Sequence, residues 1–373
     1  MLKHSNHQQV LFNLLRIALG DDPTGPLPDV IDWKELIDLS YSQGVASIAV
    51  DGLQKLYDAN PELGLALDNP ELENLKYEWF GATFSDEQNY SRIKSTAQDI
   101  SVRLEELGIK ALLVKGLSYA SYYPIPEHRT FGDIDIFSPT SYKAIDDMLK
   151  GIAENFSVEY YRHSHCSLNG IAIENHKHLC DIRGQKRWVK LEKELALYAD
   201  EVLSSKEDGG LYFPDSKLSV LFFLYHAQSH LVFESISLRF LTDWAMILRG
   251  EKELLASGWL RESISRFGLE KITGVLTSLC IKYLGVDRNN LPECIALCAD
   301  SIEETLEDKV ARDIFRKDKE GFGDSSLRSR MSRAFVMFDR GWKYREFLGV
   351  GPFVFVLEKW CGIVKEKVLK SEK

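Results

Sequence analysis

Residues 111–137 read ALLVKGLSYASYYPIPEHRTFGDIDIF, and the rest of the chain is arranged around them. Ala111–Val114 is an apolar run of strand length, closed by Lys115 and Gly116. A short helix is expected over about Leu117–Tyr123, then a loop with Pro124 and Pro126, then a second strand over Asp133–Phe137. Side chains two apart on a strand share a face. Asp133 and Asp135 therefore stand side by side, with Ile134 and Ile136 turned to the core. Neighbouring carboxylates repel and need a cation or other compensation. Hard oxygen ligands suit Mg2+, which usually takes one or two carboxylates plus substrate phosphates. Upstream, Gly116 lets a ligand approach the backbone closely. The helix that follows offers free N–H groups to a phosphate. Lys115 adds a point charge and Arg129 a planar fork.

Helical periodicity flanks this stretch on both sides. Val10–Ala18 has helical spacing and stops at Gly20-Asp21-Asp22-Pro23. Pro23–Pro28 reads as a loop, and Asp32 as the N-cap of a helix through Ser42. Val45–Tyr57 continues the pattern, and Pro61–Asn69 breaks it. A long helix then carries Ile93, Ala97, Ile100, Leu104 and Leu107 on one stripe, closed by Gly108. Trp33, Tyr41, Tyr57, Tyr77, Trp79 and Phe80 are expected in the core. Beyond the second strand, Ser141–Glu154 reads as a helix and Ser157–Tyr161 as a third strand. Ser164–Leu168 and Ile171–His176 form a hairpin about Asn169-Gly170, a strong tight-turn signal. On that last strand Glu174 shares a face with Ala172 and His176.

From Trp188 onward the pattern is helical again. Helices are expected over Val189–Tyr198, Ser216–Phe233, Ser237–Leu248, Trp259–Phe267, Leu269–Leu284 and Pro292–Leu306, with Leu211–Pro214 as a linker. Asp324–Arg333 reads as a polar loop. Trp342–Val368 reads as a closing helix that packs on the body in preference to a membrane surface. The expected fold class is α+β: a small mixed sheet flanked by helical lobes, with residues 1–108, 109–190 and 191–373 as the three regions.

The 373 residues are 45% hydrophobic and 27% charged, an ordinary globular composition. A net charge of −10 is unsuited to nonspecific nucleic-acid binding. The six cysteines form no CxxC pair and read as small buried residues. No basic-then-apolar leader and no uninterrupted run of membrane-spanning length is evident, so a cytoplasmic location without stable membrane insertion is expected. His163 and His165 share a strand face and read as surface or hydrogen-bonded histidines before zinc ligands. His176, Lys177, His178, Arg183, Lys186 and Arg187 make a basic cluster, either an acceptor-holding surface or a solvated strand end. His226 and His230 lie one helical turn apart without the glutamate of a zinc-protease HExxH helix. With Arg239 and Asp243 they read as polar contacts between helices or as a wall of the cleft.

Taken together, Lys115-Gly116, Tyr123-Pro124, Arg129 and Asp133-Ile134-Asp135-Ile136 resemble the bacterial uncharacterised nucleotidyltransferase family within the polymerase-beta-like superfamily. Ile173-Glu174-Asn175-His176, and His226-Ala-x-x-His230 followed by Arg239 and Asp243, fit the same resemblance. It implies a metal-dependent nucleotidyltransferase that moves a nucleoside monophosphate from a nucleoside triphosphate to an acceptor hydroxyl, with Mg2+ or Mn2+ as cofactor. The acceptor is a small molecule, an RNA or a protein. Asp133 and Asp135 would bind metal and Glu174, ahead of Asp181, would be the third acidic residue. Lys115, Gly116, Arg129 and His176 would bind substrate. Many superfamily members carry Gly-Ser at the turn where this chain has Gly116-Leu117, with Ser118 next. That departure keeps a catalytically silent binding module as the alternative. A glycosyltransferase using Asp-x-Asp rests on that motif alone.

Overall fold

A computed structural model describes residues 5–23, 31–61, 70–316 and 340–371. The expected loops at Pro23–Pro28, Pro61–Asn69 and Asp324–Arg333 lie largely or wholly outside them. Six strands form one mixed sheet, so the α+β class holds: β1 Lys110–Leu113, β2 Asp133–Phe137, β3 Glu154–Tyr160, β4 His163–Leu168, β5 Ile171–His176 and β6 Gly210–Tyr212. Their order is β3-β4-β5-β2-β1-β6. The β2–β5 and β1–β6 pairs are parallel and the others antiparallel.

Asn169 and Gly170 adopt positive φ (53° and 72°), as a two-residue hairpin turn requires. That turn locks the β4–β5 register from Leu168↔Ile171 to His163↔His176. The parallel β2–β5 pairing places Asp135 opposite Glu174. Partners in register share a face, so the three carboxylates expected from the sequence point the same way.

The two sheet faces bury different material. Ile134, Ile136, Ile171 and Ile173 pack under the long helix Pro70–Glu106, through Ile93, Ile100 and Leu104, and under the helix Tyr142–Ile152. On the other face Leu112, Val114 and Phe137 join a larger core built from Asn6–Ala18, Ala46–Ala59, Ser216–Phe233, Leu238–Gly250 and Glu270–Leu284. Only the Phe137 end of β2 is apolar on that face. The helix Ser216–Phe233 therefore lies over the acidic end with a cavity between them.

Several boundaries depart from the sequence expectations. Leu211–Pro214 is not a plain linker, because Gly210–Tyr212 adds β6 parallel to β1. Three residues are too few to show a period. Pro292–Leu306 splits into Glu293–Asp300 and Glu304–Ile314. The short helix after Gly116 spans only Leu117–Ala120. One turn aligns too few peptide dipoles to draw a phosphate on its own. Tyr41, Tyr77 and Phe80 are exposed (45%, 69% and 47%), because they lie away from the buried sides of their helices. Leu107 is exposed too, one residue beyond the long helix.

The C-terminal segment is two helical pieces, Gly341–Leu348 and Pro352–Val364, bent by 69° at Gly349 and Pro352. Tyr344, Phe347, Leu348 and Phe355 pack into the body, while Phe353, Leu357 and Trp360 remain exposed. Among the described residues no single helix is long and apolar enough to cross a membrane, and the bent pair meets that test only by length and composition. Cys166, Cys180 and Cys280 are buried; Cys361 is exposed.

The N-terminal helices Asn6–Ala18 and Ala46–Ala59 approach each other tightly at Gly52. A Cβ there would sit 1.9 Å from the Leu14 carbonyl oxygen. Replacing Gly52 with Ala forces Ala46–Ala59 away from Asn6–Ala18 and is expected to cost about 1–3 kcal/mol. Urea denaturation of the variant checks this, and an unchanged midpoint would contradict the packing.

Candidate functional site

A cavity of about 540 Å3 lies between the acidic end of β2–β5 and the helices Ser216–Phe233 and Leu238–Gly250. It is within the usual size range for small-molecule sites. Lys115, Gly116, Arg129, Asp133, Asp135 and Glu174 all line it. His176, Asp181, His226, His230, Arg239 and Asp243 line it as well. Residues separated by more than a hundred positions thus converge on one space.

Asp135 is fully buried and accepts from two sides. Lys115 Nζ lies 2.5 Å, and His176 Nε2 2.7 Å, from its Oδ1. Burial disfavours its charge, yet Lys115 and His176 hold it below the usual carboxylate range. Burial likewise opposes the Lys115 charge, but Asp135, Asp133 and Glu174 outweigh it and raise the ammonium above its ordinary value. Glu174 is 3.4 Å from His176 Nε2 and 3.8 Å from His163 Nε2. Burial pushes it up, and the His176 hydrogen bond together with the Lys115 and His176 charges more than reverses this. Asp133 differs: it has no hydrogen bond or ion pair among the described residues. Burial and the neighbouring Asp135 charge raise its pKa.

A half-buried carboxylate without an ion pair among the described residues, next to two more, fits a divalent cation by donor chemistry. His163, Glu174 and His176 also offer three donor atoms within 4.8 Å of one another, close enough for one ion. Hydrogen bonding to carboxylates is the role that its surroundings favour for His176. Its buried Nδ1 has no partner, so moving the proton there to free Nε2 for a metal would leave that proton without an acceptor. His163, expected as a surface or hydrogen-bonded histidine, lines the cavity. Its register partner His176 follows from the Asn169-Gly170 turn, which is the signal that could have found it.

Arg129, expected to offer its fork to phosphate, gives that fork to Asp243. Nε and Nη2 each lie 2.7 Å from a carboxylate oxygen, and Nη1 reaches the Gly116 carbonyl at 3.4 Å. Tyr123 donates to the same Asp243 at 2.7 Å. Gly116 itself holds φ 56°, where L side chains strain, and a Cβ there would press on the Phe131 ring at 3.2 Å. Ser118 is buried and does not line the cavity.

His226 and His230, read from the sequence as helix contacts or as a wall of the cleft, line the other end of the cavity. Asp181 accepts from the Tyr161 hydroxyl and pairs with Lys359 at 2.8 Å, which brings the C-terminal helix to the site. Burial, then His230 and Lys115, hold His226 far below its usual pKa, so it is a neutral imidazole. Phe222, Phe233 and Phe240 form an apolar wall. The basic cluster after His176 does not converge here: His178 pairs with Glu192, and Arg187 donates to the Phe347 carbonyl.

The carboxylates make opposite demands on stability. Asp133 binds its proton more tightly folded than unfolded, so its ionisation at neutral pH opposes folding. Asp135 and Glu174 bind theirs less tightly, so they stabilise above the ordinary carboxylate range and lose this as pH falls through their lowered values. Without added divalent ions, Asp133→Asn is expected to raise the thermal midpoint at pH 7. Asp135→Asn strands the buried Lys115 charge and should cost about 3–5 kcal/mol. Melting curves across pH 4–8 check both; a lowered midpoint for Asp133→Asn would refute the first.

No curated protein and no solved structure matches the chain. A family model described as uncharacterised nucleotidyltransferase matches residues 29–285, which span the sheet, the acidic face and the helices that close the cavity. The chain belongs to the uncharacterised nucleotidyltransferase family.

Proposed function

We propose that the protein transfers a nucleoside monophosphate from a nucleoside triphosphate to an acceptor hydroxyl, in the manner of polymerase-beta-like enzymes. The observation that carries this reading is the single face shared by Asp133, Asp135 and Glu174, opening onto the cavity that also holds Lys115 and Gly116. In the proposed reaction the acceptor oxygen bonds to the α-phosphorus as the bond to the bridging oxygen breaks and pyrophosphate leaves.

Asp133, Asp135 and Glu174 would hold the divalent cation, Mg2+ or Mn2+, that this reaction needs. When bound, that cation neutralises charge on the transferring phosphoryl group and lowers the pKa of the acceptor hydroxyl. Glu174, half-buried at the cavity edge, favours loss of the acceptor proton. Lys115 is drawn between Asp135 and the incoming phosphate charge. His176 keeps Asp135 ionised and oriented through its 2.7 Å contact. Arg129, tied to Asp243, fixes the carbonyl side of the Gly116 turn, where the backbone can approach the phosphates. The wall of Phe222, Phe233 and Phe240 gives a nucleobase a face to stack on. The acceptor is a small molecule, an RNA or a protein that enters from the open side.

A second reading, a silent nucleotide-binding module, is favoured by one observation. The turn has Leu117 after Gly116, and the neighbouring Ser118 does not reach the cavity.

Thermal shift against each nucleoside triphosphate tests the proposal. Ligand at about 100 times its Kd stabilises by about 2.7 kcal/mol. A Mg2+-dependent rise is expected with at least one triphosphate, and its loss in Asp133→Ala/Asp135→Ala. Pyrophosphate release should accompany it in wild type and vanish in Asp135→Asn. Binding without release in an acceptor screen would favour the silent module, and no rise with any triphosphate would reject the nucleotide site.

A further inference from the structure

We infer that Arg239, and not Arg129, is the side chain that receives the pyrophosphate end of the nucleotide. The inference rests on the nucleotidyl-transfer reading and names the residue that handles the leaving group.

Most cations around the cavity are already neutralised. Lys115 pairs with Asp135, Arg129 with Asp243 and Lys359 with Asp181. Arg239 is the exception on the Asp133 side. Among the described residues its one hydrogen-bonded side-chain donor is Nη1, 3.0 Å from the Thr130 carbonyl oxygen. A guanidinium has five N–H donors, so most of its capacity is unspent. No carboxylate pairs with it among the described residues. The Asp243 and Asp133 charges act on it without a direct ion pair and only partly offset its burial and the neighbouring Arg129 charge, so an anion entering the cavity relieves the remaining cost.

The arm is held in place before any ligand arrives. The Arg239 N–H donates to the Gln43 carbonyl at 3.3 Å, and the Leu238 N–H to the Gln43 side chain at 3.1 Å. The side-chain stem lies over Gly44, where an added Cβ would be 3.7 Å from Arg239 Cβ and Cδ. A guanidinium fixed this way offers a planar fork to phosphate oxygens with little left to order. It lines the same cavity as Asp133 and its charge acts on that carboxylate. Arg162 is the other incompletely satisfied guanidinium at the cavity: Nη2 donates to the Leu179 carbonyl and buried Nε has no partner. Its neighbours are Cys180, Asp181 and Tyr225, at the opposite end.

Calorimetric titration of the full chain with inorganic pyrophosphate, with and without Mg2+, tests this. Arg239→Gln should weaken binding about ten- to a hundredfold, the loss of charged hydrogen bonds. Arg239→Lys should retain part of the affinity, and Arg162→Gln should match wild type. The ligand-free thermal midpoint of Arg239→Gln should equal or exceed that of wild type, whereas a purely structural arginine would lower it. Unchanged pyrophosphate affinity in Arg239→Gln overturns the inference, as does loss in Arg162→Gln instead, or no binding by wild type. The two readings fail separately. Arg239-dependent pyrophosphate binding without triphosphate turnover keeps the subsite and removes the transfer reaction. Turnover with an unchanged KM for triphosphate in Arg239→Gln does the reverse.

Discussion

The buried ion pair between Arg129 and Asp243 joins the two halves of the site. Arg129 ends the loop that follows the Gly116 turn, and Asp243 sits on the helix Leu238–Gly250. Both are nearly solvent-free, and two 2.7 Å contacts satisfy the fork. The guanidinium also lies 5.7 Å from the ring centroids of Tyr119 and Phe131. Removing one partner of such a pair leaves an uncompensated buried charge, which costs far more than the pair contributes. The pair therefore sets a geometry more than it adds stability: it holds the helical wall at a fixed height above the acidic sheet face.

Within that frame, charge is distributed unevenly. Asp135 accepts from Lys115 and His176 at Oδ1, Glu174 shares the histidine, and Asp133 has no side-chain hydrogen bond or ion pair among the described residues. The helical wall adds a neutral His226 and aromatic rings, so the cavity is largely apolar on one side and charged on the other. Low polarisability around the acids strengthens every interaction inside the cavity. It also explains why the least satisfied groups, Asp133 and Arg239, lie where a ligand would complete them. The folded protein keeps these groups at a cost in stability, a common arrangement at functional sites.

Most of the site's polar side can be read along the chain. The Asp-x-Asp alternation, the glycine turn and the Asn-Gly hairpin are local devices, and each forces its neighbours by backbone sterics. They account for β2, β4, β5 and the shared face of Asp133, Asp135 and Glu174. The helix Ser216–Phe233 is equally plain, because Asp215 caps an apolar run and its side chain accepts from Leu218. What the sequence left hidden were partnerships across long separations. Nothing near Arg129 marks Asp243 as its partner, and nothing near Asp181 marks Lys359. β6 has three residues, too short for a period, and exists because β1 offers it an edge.

The sequence by itself determined which side chains share a strand face, where the tight turns fall, and which helices are apolar. Those properties depend on steric limits within a few residues. The tertiary structure alone decided which charges neutralise one another, which remain unpaired, and that His163 belongs to the cavity. Such outcomes depend on distances and burial between distant segments, and a change of a few ångströms in low dielectric reverses them.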